Sequence, residues 1–293
     1  MSPGSWLVLA AAICWGTTGT AQALAPPSAQ PASIGAVRLI IGGAALLLIA
    51  IWRGALRGGE RWPPWPTLLA AGSMAAYQVL FFSGVERTGV AVGTMVAIGS
   101  APILAGAFAY LARGERPGPR WAMATFLAVL GCGLLITAGG GIAINPLGVL
   151  LAIGAGAAYA LFTVTSKGLL DRKPPEAVMA VTFCLAALIL SPLLVWTNLS
   201  WLGTSSGLAV ALHLGLITVA LAYSLFAQGL ALIPVATATT LTLAEPLTAG
   251  ILGITVLQEK LTLPALRGML LIFAGLTLLS MPRKKISGNT NDQ

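Results

Sequence analysis

Glu245 stands inside an apolar run, directly before Pro246. A proline there has no backbone donor and bends a helix, leaving carbonyls free beside the carboxyl group. Two chemistries suit such an acid: proton carriage, or pairing with a substrate amine. An acid capped by a hydroxyl, or paired with Arg or His for structure, would look the same in sequence. His213, the chain's single histidine, could relay protons together with Glu245, or sit neutral against a backbone carbonyl. Arg38 and Arg267 also fall inside apolar runs. Each either snorkels to the headgroups or holds a carboxylate. Trp15, Tyr77, Tyr159 and Tyr223 lie mid-run, away from the interfacial belt that aromatics favour. Together they would frame a pocket with apolar walls and polar tips, suited to small amphipathic ligands. Thr94, Met95, Thr239, Thr240 and Thr242 would add hydroxyls and a soft wall. Gly16, Pro102 and Pro246 are the expected hinges.

Other chemistries lack their parts. There is no His-Glu-x-x-His pair, no Gly-x-Ser-x-Gly elbow and no Asp within an apolar run, so a catalytic role is not expected. One histidine excludes a His-rich metal site, and no metal or cofactor is expected. Cys14, Cys132 and Cys184 lie in apolar stretches without metal spacing and read as small hydrophobes. A channel would want a ring of like groups along a pore, and none is visible.

The elements that must position these residues follow from composition. The chain has 293 residues, 57% hydrophobic and 8% charged, with a mean hydropathy of +0.91. A soluble domain carries about 25% charged residues. Lipid is therefore the solvent, and helices are the open segments that satisfy every backbone group there. Ten apolar runs can be read, at about 5–24, 33–52, 67–86, 88–112, 120–138, 145–169, 177–196, 206–231, 233–257 and 263–281, each about the length of a membrane crossing. Turn-like breaks such as Pro26-Pro27, Pro63-Pro64, Gly139-Gly140-Gly141 and Pro174-Pro175 separate them. Ala21-Gln22-Ala23 resembles a signal-peptide cleavage site, but residues 1–4 lack the expected positive charge, so the first run is read as a retained helix. The net charge of +8 is scattered over short loops, which argues against nucleic acid. Arg53, Arg57, Arg61, Arg113, Arg116, Arg120, Lys167, Arg172, Lys173, Arg283, Lys284 and Lys285 fall on one side, and the loops of the other hold Arg87 and Lys260. By the positive-inside rule both termini are cytoplasmic.

The two halves are copies offset by 144 residues. Trp15 falls on Tyr159, Pro102 on Pro246, Glu115 on Glu259 and Gly131 on Gly275. Glu115 and Glu259 each precede a helix and would complement its N-terminus. Residues 1–140 and 141–284 are thus two five-helix repeats, with 285–293 a disordered cytoplasmic tail. A repeat with an odd number of spans must insert upside down the second time, the arrangement of many secondary transporters, with a substrate site near the midplane.

Trp15-Gly16, Arg38, Pro102 followed by Gly114-Glu115-Arg116, then Glu245-Pro246 followed by Glu259, Gly268 and Gly275 together resemble the EamA-type transporters of the drug/metabolite transporter superfamily. The resemblance covers nearly the whole chain. It implies an all-α fold of ten transmembrane helices, as two inverted repeats around a central cavity. It also implies bacterial inner-membrane export of amino acids, other metabolites or toxic compounds. Members that handle phosphorylated sugars need basic residues in the cavity, and no Lys is expected in a helix core here. The leading expectation is export of amino acids or similar amphipathic metabolites through a mostly uncharged cavity, by a chain acting as a monomer in the bilayer. Multidrug export of lipophilic cations, with Glu245 as the cation partner, is the alternative.

Overall fold

Ten helices run through the computed structural model, which describes residues 2–57, 61–137, 145–258 and 261–281. The tail, the Gly139-Gly140-Gly141 break, Glu259 and Lys260 lie outside the described residues. The first helix, α1, is in two pieces, Pro3–Gly16 and Thr18–Ala23. Then come α2 (Pro31–Trp52), α3 (Pro64–Gly89), α4 (Val92–Arg113), α5 (Pro119–Thr137) and α6 (Pro146–Leu170). The series ends with α7 (Pro175–Trp196), α8 (Ser205–Leu232), α9 (Val235–Thr255) and α10 (Leu263–Ser280). Proline opens most of them, at the position where its missing N–H and fixed φ cost nothing. The turn between α3 and α4 is a single break at Gly89, whose φ of 81° and ψ of 158° are open to glycine alone.

Among the described residues, seven helices are each long and apolar enough to cross a bilayer. Their outward faces carry large apolar side chains, among them Leu48, Leu111 and Leu188. Trp52 and Trp65 are exposed at one end of the bundle and Trp196 at the other, at the levels where indole rings favour the headgroups. The core is mostly alanine, with larger fillers such as Phe162, Phe183 and Leu230. In lipid, helix association depends on close packing, and small residues permit it.

The packing repeats under the same shift of 144 residues. Helix α1 lies against α8 and α9, as α6 lies against α3 and α4, while α2 pairs with α7 and α5 with α10. The pairings hold at the level of single atoms. A Cβ on Gly131 would lie 2.6 Å from the Gly268 carbonyl and 2.8 Å from Ile272, and one on Gly275 would lie 2.6 Å from the Ala124 carbonyl and 3.1 Å from the Ala128 nitrogen. Gly268 and Ile272 are the repeat mates of Ala124 and Ala128. Likewise Gly229 of α8 abuts Gly4 and Val8 of α1, and Gly84 of α3 abuts Gly148 and Ala152 of α6. One pseudo-two-fold axis relates the halves, and the odd number of spans in each makes the repeats inverted.

Three helices depart from regularity at mid-depth. The backbone of α1 breaks at Thr17. Helix α9 breaks at Thr242-Leu243, so Glu245 and Pro246 open its second piece, Ala244–Thr255. In α8 the stretch Leu214–Leu221 is π-helical, a geometry that often marks functional sites.

Candidate functional site: a central cavity closed at one end

A cavity of about 790 Å³ lies between the repeats. Its walls come from α1, α3, α4, α6, α8 and α9, with α2, α7 and α10 contributing a few groups. Trp15, Gly16, Tyr77, Thr94, Tyr159, Tyr223, Glu245 and Pro246 all line it. The rings interlock: Trp15 and Tyr223 have centroids 4.8 Å apart, Tyr77 and Tyr159 5.7 Å apart. These two pairs join α1 to α8 and α6 to α3, the equivalent helices of each repeat, with Tyr223 two residues beyond the mate of Tyr77. Phe226 bridges them, 5.4 Å from Trp15 and 6.4 Å from Tyr159. The π-helical stretch explains how Trp15 is held. Its indole Nε1 donates to the Thr218 carbonyl at 2.8 Å, a carbonyl within the π turn.

Other residues singled out in the sequence lie elsewhere. Met95 is absent from the wall, and its Cε lies 3.2 Å from where a Cβ on Gly133 would be. Thr240 is fully buried, with its hydroxyl 2.8 Å from that of Thr125 on α5. Pro102 is buried within α4 and the helix continues through it. His213 is also off the wall; its Nε2 lies 2.8 Å from the Thr17 hydroxyl, beside the break in α1. Of the threonines of α9, Thr242 reaches the cavity.

Arg38 departs from the snorkelling expectation. It lines the cavity, and its Nη2 donates to Gln78 Oε1 at 3.0 Å. Gln78, beside Tyr77 on α3, is 4% exposed. Arg267, by contrast, is exposed on the outside of α10. The cavity therefore holds one fixed positive charge as well as Glu245, and the expectation of a mostly uncharged site must be modified. Gln22, Gln78, Phe81 and Phe82 also line it and were not anticipated. Gln22 and Gln78 could have been noticed as polar amides inside apolar runs.

The cavity is open toward one end of the bundle. Gln22 at the end of α1, Val85 at the end of α3, Thr94 at the start of α4, Ile254 at the end of α9 and Thr262 just before α10 form its mouth. The other end carries Arg53, Arg113, Arg116, Arg120, Lys167 and Lys173 and is here termed the basic end. It is shut. Glu115 Oε2 accepts from the Val235 backbone N–H at 3.0 Å, at the first residue of α9. Trp121 Nε1 donates to the Ala236 carbonyl at 2.8 Å. Lys167 Nζ donates to the Leu230 and Ala231 carbonyls at 2.7 and 2.9 Å, where a cation complements the C-terminus of α8. Arg113 joins Glu115 and Asp171 at 3.2 and 2.9 Å. Glu115 thus serves a helix N-terminus in the opposite repeat, not that of α5 as the sequence suggested, because the two-fold brings α9 over the α4–α5 corner.

Among the described residues, the Trp121 contact has no counterpart at the mouth. The repeat mate of Trp121 is Ala265, which lines the cavity, as do Thr94 and Ile98 of α4. Where α5 meets α9 at the basic end, the equivalent helices α10 and α4 border open space.

Ten membrane helices in two inverted repeats, enclosing a cavity shut at one end, define a secondary-transporter fold. Residues 2–137 and 146–281 each match the EamA-like transporter family, and the chain belongs to that family of membrane transporters. It is 47% identical over 283 residues to the uncharacterized transporter YwfM of Bacillus subtilis, covering 96% of this chain and 95% of that protein. It is 31% identical over 295 residues to the threonine/homoserine exporter RhtA of Escherichia coli, covering 96% and 92%. A crystal structure of 24% sequence identity superposes with a TM-score of 0.83, covering 96% of this chain and 99% of that one, so the fold is shared.

Proposed function

We propose that this protein exports amino acids or similar small amphipathic metabolites across the bacterial inner membrane by alternating access, with both termini in the cytoplasm. The observation that carries the reading is the asymmetric cavity: closed by α5 and α9 at the basic end, bordered by α4 and α10 at the mouth. Exchanging these two contacts, as the two-fold allows, would carry a bound molecule from one side to the other. The positive-inside rule puts the basic end in the cytoplasm, so the conformation described is open outward. The breaks in α1 and α9 beside Gly16 and Pro246, and the π turn of α8, are the places where little force is needed to bend. Similarity to RhtA, whose name specifies threonine and homoserine, supports the substrate class. The cavity volume suits it too, since small-ligand sites run from about 300 to 1,000 Å³. Any proton cycle would run through Glu245, which faces the cavity, rather than His213, which does not.

Uptake into proteoliposomes tests this directly. The panel holds neutral, aromatic, basic and acidic amino acids and a lipophilic dication, each with and without a pH gradient. Amino-acid uptake is expected, and replacing Tyr77 or Tyr223 with Ala should cut it without cutting expression. Gradient-dependent transport of the dication alone would overturn the proposal. The second reading, a cation exporter, draws support from Glu245 in the wall. Glu245→Gln separates the two, since loss of cation efflux with amino-acid efflux intact would favour the second. Arg38 in the same wall would repel a cation and weighs against it.

A further inference from the structure

The cavity contains one guanidinium and one carboxyl group, and neither is spent on the other. Among the described residues, no acidic oxygen lies within 4.0 Å of Arg38 and no basic nitrogen within 4.0 Å of Glu245. Arg38 remains charged at any accessible pH. Among the described residues its one acceptor is the neutral Gln78 oxygen, and its Nε is buried without a partner. Arg38 is half-buried in the wall, and a buried donor without an acceptor is costly. A group kept in that condition at a cavity wall is one whose acceptor arrives with the ligand.

We propose that Arg38 anchors the carboxylate of the transported molecule, with Gln78 as its positioning residue, and that Glu245 takes the ammonium group of the same molecule. This deepens the amino-acid reading and rests on it for the ammonium half alone. The planar guanidinium matches a carboxylate in two parallel hydrogen bonds. Gln78 fixes the plane of that fork through Nη2 and is itself fixed by burial. Glu245 repels a second negative charge, so dianions such as phosphate esters fit poorly. Trp15, Tyr77, Tyr159 and Tyr223 line the same cavity and offer apolar surface to the side chain, which projects from the carbon that bears both charges. The selected property is the zwitterion.

Equilibrium binding to the full chain in lipid nanodiscs tests the assignment with three probes: L-threonine, L-threonine amide, which lacks the carboxylate, and L-lactate, which lacks the ammonium group. The wild type should bind L-threonine at least about tenfold more tightly than its amide, one well-made charged contact being worth that much. Arg38→Gln should erase this preference. Arg38→Lys, which keeps the charge but not the fork, should retain part of it and guards against misfolding of the Gln variant. Gln78→Leu should weaken L-threonine and L-lactate alike while leaving the amide unchanged. Glu245→Gln should weaken L-threonine and its amide while leaving L-lactate unchanged. Binding of L-lactate but not L-threonine, lost in Arg38→Gln, would end the amino-acid reading and keep the carboxylate anchor. An undiminished preference for L-threonine over its amide in both Arg38 variants would overturn the anchor and keep the amino-acid reading. Failure of the wild type to bind either carboxylate would overturn both.

Discussion

Removing the Glu115 carboxylate should open the basic end. In the structure Glu115 Oε2 accepts the Val235 N–H at 3.0 Å, and this amide belongs to the first turn of α9, which has no intrahelical acceptor. A hydrogen bond to a charged group is worth about 1.5–3 kcal/mol. The side chain is 20% exposed, so water can replace part of the lost bond, and the net cost of Glu115→Ala falls to about 1–2 kcal/mol. A cost of this size raises the population open at the basic end about 5- to 30-fold. Hydrogen exchange followed by mass spectrometry reads the change, because amide exchange through local opening scales with the open population. Peptides covering residues 235–240 should exchange about 5- to 30-fold faster in Glu115→Ala. Peptides of the α5–α10 interface should not change. Glu115→Gln keeps an acceptor oxygen and should show a smaller effect. Unchanged exchange at the start of α9 would refute the claim that Glu115 holds the basic end shut. Equal acceleration throughout the chain would assign Glu115 to general stability instead.

The α5–α10 interface makes a second prediction. Gly131→Ala and Gly275→Ala each push a methyl to 2.6 Å from a backbone carbonyl, a clash worth about 1–3 kcal/mol. Both should lower the melting temperature in detergent by similar amounts, while Gly72→Ala, with nothing within 4 Å of its new methyl, should not; unequal losses would argue against the two-fold. A third concerns His213, whose Nε2 meets the Thr17 hydroxyl at 2.8 Å. Gln can make the same bond, so His213→Gln should transport with an unaltered pH profile, and a flattened profile would return His213 to the proton path.

The fold was legible because lipid leaves few options. Runs of apolar residues that long must be helices, and the mates Gly131 and Gly275 turn out to be one contact seen from each half. The site was harder, because a helix that is apolar all round does not reveal which face turns inward. A step of one residue rotates a helix by about 100°. That rotation separates Thr94, on the wall, from Met95, against Gly133. It also separates Glu245 from Ala244. Arg38 could not be assigned for the same reason: the sequence of α2 carries no polar stripe, and only the position of Gln78 on α3 shows that the guanidinium points to the cavity. The break at Thr17 and the π turn of α8 depend on contacts between helices far apart in sequence, such as that of Trp15 with Thr218, and no local signal announces them.

The symmetry also explains where the polar groups are. Groups that hold the scaffold come in pairs: Gly131 with Gly275, and the ring contacts of Trp15 and Tyr159. The charged groups of the cavity, and the amide that positions one of them, do not. Arg38 has Thr182 as its repeat mate, Gln78 has Ala222, and Glu245 has Ala101. Moving between two end states of nearly equal energy needs matched contacts at both ends, which duplication supplies and selection must then keep. Recognising a molecule with a positive and a negative end needs the opposite, because a symmetric pair of arginines or of acids would present like charges to one another across the cavity. A duplicated transporter for a zwitterion should therefore be symmetric where helices meet and asymmetric where they face the ligand. Installing a missing mate in the cavity wall tests this division. Ala101→Glu, at a residue that lines the cavity, should leave helix packing intact, as judged by melting, and abolish binding of L-threonine through repulsion at the cavity.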